Sequence, residues 1–542
     1  MSASLTCTSL AFSWPDGTPV FEDLDIAFGP GRTGLVGVNG SGKSTLLKLI
    51  AGELTPADGT VRVAGEVGHL PQNVTLDTTL RVDEVLGIAA QRAALHAIEA
   101  GDVSEAHFET VGDDWDAEER ALATLGELGL GHIGLDRTVG EVSGGESVLL
   151  RLAALLLRRP DVLLLDEPTN NLDLYARRRL YAAVASWSGV MVIVSHDREL
   201  LELVDQIADL RAGEVTWYGG NFSAYEESLA TEQEAAERMV RVAEADLKRQ
   251  KRELVEAHSK LAQRTRYANK MYENKREPRA VMKLKRRSAQ VSAGKHRIMH
   301  EGRLAEAKER LDEAVEAVRD DDVIRVDLPY TAVPPGRDVL TLMDLEPAYG
   351  ARVKGGFDLR GPERVALVGR NGAGKTTLLR TIAGELAPVS GEAHAHVPLR
   401  FLPQRLDVLD DELSVAENVA RFAPAATNNR VRARLARFLF RGARADQKAA
   451  TLSGGERFRA ALAALMLAEP APQLLMLDEP TNNLDMASVR QLTSALESYE
   501  GALIVASHDL PFLESIGITR WLLLDGELRE TTAEAVAEID EA

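Results

Sequence analysis

The run Leu-Leu-Leu-Asp-Glu-Pro-Thr-Asn-Asn-Leu-Asp at Leu163–Asp173 returns with one change at Leu475–Asp485, 312 residues later. Apolar residues ending in Asp-Glu read as a buried strand that carries two carboxylates to its C-terminal tip. That tip is the edge at which an open α/β sheet holds its ligand. Two copies require two such sheets and two such sites. The length agrees, because 542 residues exceed what one hydrophobic core organises.

The neighbourhoods of the two copies also match. Gly37-Val-Asn-Gly-Ser-Gly-Lys-Ser44 and Gly369-Arg-Asn-Gly-Ala-Gly-Lys-Thr376 both fit the phosphate-binding loop, each between an apolar run and a helical pattern. In such a loop Asn39, Gly40, Gly42, Asn371, Gly372 and Gly374 bring backbone N–H groups to phosphate. Lys43 and Lys375 neutralise charge, and Ser44, Thr45, Thr376 and Thr377 follow at the helix start. Asp166 and Asp478, with the Ser44 and Thr376 hydroxyls, are candidate Mg²⁺ ligands, and Glu167 and Glu479 are placed to polarise a water. His196 and His508 each fall 30 residues after those aspartates, at the ends of apolar runs. They are candidate γ-phosphate contacts. Gln72 and Gln404 each lie 29 residues after the loop lysine and are candidate metal or water contacts. Ser143-Gly-Gly-Glu146 and Ser453-Gly-Gly-Glu456 each open a helix whose free N–H groups form an anion site.

This set, in this order, resembles the ATP-binding cassette superfamily, over about 430 residues. The resemblance implies cassettes stacked head to tail, each ATP between the phosphate loop of one and the signature helix of the other. One site would join Lys43, Gln72, Asp166, Glu167 and His196 to Ser453 and Gly455. The other would join Lys375, Gln404, Asp478, Glu479 and His508 to Ser143 and Gly145. Trp14 and Tyr349 are candidates to stack on adenine.

The copies differ in length. Gln72 to Ser143 spans 71 residues, and Gln404 to Ser453 spans 49, so the first copy carries 22 extra residues, expected at about 88–115. A further segment of about 95 residues between the copies holds no cassette motif. Val240, Leu247, Leu254 and Leu261 repeat every seven residues, as do Leu304, Leu311 and Val318, which predicts two long helices paired as an antiparallel coiled coil. From Arg264 to Arg303 there are 13 Lys and Arg against 3 Glu, in a chain of net charge −20. Arg264, Arg266, Lys270, Lys275, Arg276, Arg279, Lys283, Lys285, Arg286, Arg287, Lys295 and Arg297 are the candidate RNA contacts, with Tyr267, Tyr272 and His296 available for stacking.

The expected fold class is α/β: two tandem P-loop cassettes joined by a long antiparallel α-helical coiled-coil linker. The expected domains are residues 1–222, 223–330 with a basic tip at about 264–303, and 331–542. Two fused cassettes, an insertion in the first and a basic helical linker resemble the ABC-F family, as does Tyr218-Gly-Gly-Asn-Phe-Ser-Ala-Tyr225. The chain departs from that family's usual pattern with Asn171 and Asn483 in place of His, and with Ser147 after the first signature Glu. The resemblance implies ATP hydrolysis with ATP and Mg²⁺, and binding at the ribosomal tRNA exit site in the ATP state. The linker would reach toward 23S rRNA, P-site tRNA and the peptidyl-transferase centre. It implies antibiotic resistance by ribosome protection or, alternatively, a housekeeping translation role. The ATPase subunit of a membrane transporter is a competing function, and it would leave the basic helical segment without a role. A DNA-repair or chromosome-structuring ATPase is disfavoured because each half is complete and Cys7, the only cysteine, cannot build a zinc module. One cysteine, no apolar run of membrane-span length and no signal-peptide pattern at Met1–Leu10 lead to the expectation of a cytoplasmic protein with no membrane partner; no DNA partner is expected, and the resemblance implies a monomer with intramolecular cassette pairing.

Overall fold

The computed structural model describes residues 5–73, 76–170, 172–211, 213–273, 298–300, 302–315, 324, 328, 330–482 and 484–538. It divides into two compact units. One joins Met1–Phe222 with Asp322–Ala542 and holds both copies of the repeat; the other is Ser223–Asp321.

In the first copy, a six-stranded sheet runs in the order Val67–Leu70, Val162–Asp166, Val190–Val194, Gly31–Val36, Gln206–Arg211, Glu214–Gly219. All neighbours are parallel except the last pair. The second copy repeats the order with Leu399–Leu402, Leu474–Asp478, Ala502–Ala506, Arg364–Val368, Arg520–Asp525 and Glu527–Thr531. The central strands are buried on both faces, which is why Val-Leu-Leu-Leu and Leu-Leu-Met-Leu run without polar alternation. A three-stranded antiparallel sheet covers one flank of each copy: Leu5–Ser13 between Pro19–Phe28 and Asp58–Val63, and Asp338–Glu346 between Gly356–Arg360 and Ser390–Ala395.

A helical layer follows the glutamine strand in each copy. The first holds Ala89–Glu99 and Glu105–Val111 where the extra residues were expected. Arg92 anchors them, donating to Asp83, Asp136 and Glu118 within 2.6–3.2 Å.

The second unit contains helix Phe222–Glu273, 52 residues long, or about 78 Å at 1.5 Å per residue. Val240, Leu247 and Leu254 are half-buried on it. In the later helical stretch Leu304 and Leu311 are half-buried and Ala307 and Ala314 are buried, again at heptad spacing. Arg310 pairs with Asp246 at 3.3 Å. Arg264, Arg266 and Lys270 are exposed on the long helix. Lys275, Arg276, Arg279, Lys283, Lys285, Arg286, Arg287, Lys295, Arg297, His296, Val318, Asn171 and Asn483 lie outside the described residues; Tyr272 falls on the last turn of the long helix.

Candidate nucleotide sites

Each phosphate loop begins where a central strand ends and closes on a glycine no other residue could replace without strain. Gly42 has φ +98° and Gly374 φ +99°. A Cβ on Gly42 would lie 2.6 Å from the Phe21 ring, and one on Gly374 would lie 2.7 Å from Gly350 Cα. The next residue starts a helix, Lys43–Ile50 or Lys375–Ile382, whose free N–H groups face the loop. The lysines fold onto their own loops. Lys43 Nζ donates to Gly37 O at 2.7 Å and Val38 O at 3.1 Å; Lys375 Nζ donates to Gly369 O at 2.6 Å and to His508 Nε2 at 2.8 Å. Burial lowers the pKa of both lysines. A phosphate would exchange neutral carbonyl partners for an anionic one.

The carboxylate strands reach the same edge. Ser44 Oγ donates to Asp166 Oδ1 at 3.0 Å. Asp166 Oδ2 and both Asp478 carboxylate oxygens are buried without a hydrogen-bond partner. Buried orphan oxygens beside a hydroxyl are what Mg²⁺ takes, using few protein ligands and leaving the rest to phosphate and water, so these residues fit the ion. Burial raises the pKa of both aspartates.

Glu167 and Glu479 both adopt φ +47°, the left-handed region that a glutamate rarely enters. Their N–H groups donate across to Val194 O and Ala506 O, each at 2.8 Å. His196 Nε2 stands 3.1 Å from Glu167 Oε1, and His508 Nε2 stands 3.3 Å from Glu479 Oε1. Burial, only partly offset by the lysines, pushes Glu167 up to about 8 and Glu479 up to about 7. Burial and the nearby lysines push His196 down to about 3 and His508 well below its ordinary value. Each site thus pairs a carboxyl group of raised proton affinity with a neutral imidazole.

Around the second loop these residues converge. A cavity of about 340 Å³ is lined by Tyr349, Asn371, Gly372, Gly374, Lys375, Thr376, Thr377, Gln404, Asp478, Glu479 and His508, with Leu172 from the other copy. An adjoining cavity of about 420 Å³ brings Ser143 and Gly145 against Arg370 and Asn371. The first signature helix therefore faces the second phosphate loop. Ser143 and Ser453 also cap their own helices through Glu146 and Glu456. Gly455 packs against Ser488 in its own copy. Gln72 is exposed just past the strand Val67–Leu70, which flanks the Asp166 strand. Tyr349 is 79% exposed, its carbonyl beside Gly374. Trp14 lies edge-on to Phe12 at 5.2 Å.

Two residues given no role from sequence tie the copies together. Asp173 Oδ2 accepts the Asn371 N–H at 3.1 Å, and Asp485 Oδ2 accepts the Asn39 N–H at 2.9 Å. Both aspartates stood at the end of the repeated string; nothing there said that their partner lies in the other copy.

The ABC transporter family model matches residues 21–170 and 355–482. The probable ATP-binding protein YheS of Escherichia coli K12 is 32% identical over 539 residues, covering 93% of this chain and 76% of the relative. The tylosin resistance ATP-binding protein TlrC of Streptomyces fradiae is 33% identical over 523 residues, covering 91% and 92%. Mouse ATP-binding cassette sub-family F member 3 is 32% identical, covering 93% and 69%. A solved structure titled a model of ribosome-bound archaeal Pelota and ABCE1 shares the fold at TM-score 0.53 and 19% identity, covering 98% of this chain and 80% of that one. No helix among the described residues is long and apolar enough to cross a membrane. With two matched cassettes on one polypeptide and relatives aligned along most of its length, this chain belongs to the ABC-F family of ATP-binding cassette proteins.

Proposed function

We propose that the protein is a ribosome-associated ATPase that binds the tRNA exit site with ATP in both cassettes and protects the ribosome from an antibiotic. The observation that carries the reading is the pairing of two complete nucleotide sites with a long helical unit inserted between them. The relatives add support, since one is named for tylosin resistance and a fold neighbour is titled as ribosome-bound.

In each site the loop amides and Lys43 or Lys375 hold the β- and γ-phosphates, and the opposing signature helix, from Ser453 and Gly455 or from Ser143 and Gly145, closes on the γ-phosphate. Ser44, Gln72 and Asp166, or Thr376, Gln404 and Asp478, would hold Mg²⁺, which would supply charge neutralisation at the phosphate. Glu167 or Glu479 accepts a proton from the attacking water as its oxygen bonds to the γ-phosphorus and the bond to the ADP oxygen breaks. His196 or His508 donates a hydrogen bond to the γ-phosphate. Closure uses ATP as the bridge between cassettes, so hydrolysis opens them.

Residues 223–330 are the proposed linker, an antiparallel coiled coil in which Asp246–Arg310 is one cross-helix tie. Its basic residues from Arg264 to Arg297 meet RNA phosphate, and the exposed Tyr267 is free to stack. The proposed location is the cytoplasm.

The test is sedimentation with ribosomes. Glu167→Gln with Glu479→Gln blocks hydrolysis while sparing ATP binding, and should co-sediment with ribosomes only when ATP is present; a double variant that stays free in ATP refutes the ribosome reading. Lys283, Lys285, Arg286 and Arg287 changed together to Glu should weaken that association and flatten its salt dependence. A housekeeping role is separated by growth of a deletion strain on macrolides, lincosamides and pleuromutilins, where unchanged sensitivity removes the protection reading.

A further inference from the structure

The cassettes repeat one another at the aspartates that cross between them and diverge directly after. Helix Leu174–Ser186 carries Tyr175, Arg177 and Tyr181, where its counterpart Met486–Glu497 carries Ala487, Val489 and Thr493. The phosphate loops diverge at the facing position: Arg370 stands in the second where Val38 stands in the first.

These differences meet in space. The Arg370 guanidinium lies 5.0 Å from the centre of the Tyr175 ring, which Arg179 approaches at 5.1 Å. Leu174 packs against the core of the second cassette. Arg177 is half-buried: it donates to Leu172 O at 3.3 Å and to Asp197 at 3.2 Å, and Asp197 also accepts from Tyr181 Oη at 2.7 Å. Leu172, whose carbonyl Arg177 holds, lines the cavity of the Lys375 site. One helix of the first cassette therefore meets the second phosphate loop through Tyr175 and, through Arg177, fixes Leu172 at the wall of that site. At the corresponding positions the other helix carries Ala487 and Val489, which offer neither a π-face nor a charge.

We propose that Tyr175 and Arg177 are positioning residues supplied in trans to the Lys375 site, and that they make the two nucleotide sites unequal: ATP at the Lys375 site is released more slowly, and opening begins at the Lys43 site. The proposal rests on the ATP-binding role given to both sites above. A cation–π contact whose cation is exposed corresponds to roughly a twofold to fivefold difference in release.

The experiment uses the full chain carrying Glu167→Gln and Glu479→Gln, loaded with 8-azido-ATP, chased with unlabelled ATP and photolysed at intervals. Peptide mapping then reports which cassette retains label. Label should persist in the second cassette roughly twofold to fivefold longer than in the first. Arg370→Val, which alters an exposed side chain and leaves the core intact, should bring the two decays together, as should Tyr175→Ala. Tyr175→Phe, which keeps the ring, should restore the difference, and Arg177→Lys should preserve more of it than Arg177→Val. Equal decays in the parent, or an inequality unchanged by Arg370→Val, overturn the proposal. Failure of both cassettes to take label would instead remove the ATP-binding reading beneath it.

Discussion

Asp173 and Asp485 each divide their carboxylates between two cassettes, and this makes their contributions separable. Asp485 Oδ1 accepts the Ser488 N–H at 2.8 Å, capping its own helix, while Oδ2 accepts Asn39 from the other cassette at 2.9 Å. Asp173 does the same with Ala176 at 3.0 Å and Asn371 at 3.1 Å. Burial opposes the charge on Asp485, but the Asn39 amide and the Ser488 hydrogen bonds outweigh it and hold the carboxyl below its ordinary range. The tie is therefore present at neutral pH and is lost only as acid protonates that lowered group. Asp485→Asn keeps one carbonyl oxygen for the cap but turns an NH₂ toward the Asn39 N–H. Asn caps about as well as Asp, so the helix is spared. The lost charge-assisted hydrogen bond is worth about 1.5–3 kcal/mol, or roughly tenfold to 150-fold in the closed-to-open ratio. Asp485→Ala loses both bonds, adding about 1 kcal/mol of cap and roughly 2–4 °C of Tm for a cassette-sized domain. The assay is retention of labelled ATP after rapid gel filtration in the Glu→Gln background, with thermal melting alongside. Asparagine should shorten retention at least tenfold with little change in Tm; alanine should shorten it similarly and also lower Tm. If asparagine retains ATP as the parent does, the crossing hydrogen bond contributes nothing to closure and the reasoning fails.

Gly42→Ala or Gly374→Ala forces a Cβ into the Phe21 ring or the Gly350 backbone at positive φ, and should weaken ATP binding at that loop by at least roughly tenfold, read by fluorescent-nucleotide titration. Arg364 donates to Leu496 O at 2.9 Å, Tyr499 O at 2.8 Å and Ile516 O; Arg364→Ala should cost about 2–3 kcal/mol and lower the melting of the second cassette by roughly 5–10 °C, while Arg364→Lys recovers only part. Burial pushes the Cys7 thiol up to about 12, so it stays protonated and should resist a thiol reagent at pH 8 until denaturant is added; fast reaction in the native protein would show that the strand Leu5–Ser13 opens readily.

The central strands and phosphate loops were legible because their physics is local. A strand buried on both faces must be continuously apolar, and a loop that wraps phosphate must have glycine where φ is positive. The length difference between copies located the extra helices, although not Arg92, whose three acidic partners come from residues 83, 118 and 136. Contacts between cassettes left no local mark. Tyr175 and Arg177 sit in an ordinary polar helix pattern, and only the fold places Arg370 over one and Asp197 against the other. From sequence, Trp14 and Tyr349 are equal candidates to stack on adenine; Tyr349 lines a cavity with the second phosphate loop, and Trp14 packs edge-on to Phe12.

The 30-residue interval between Asp166 and His196, and again between Asp478 and His508, now has a physical basis. Each glutamate follows its aspartate directly and is bent to φ +47°, a conformation that costs about 1–2 kcal/mol for a residue with a Cβ. Its N–H donates to Val194 or Ala506, the last residue of the neighbouring parallel strand, and the histidine lies two residues beyond that acceptor. One backbone hydrogen bond therefore both sustains the strain and sets the glutamate against the histidine. Lengthening or shortening either strand by one residue would break that register in one cassette and leave the other intact, so strand length is constrained by the chemistry at its tip rather than by the core it crosses.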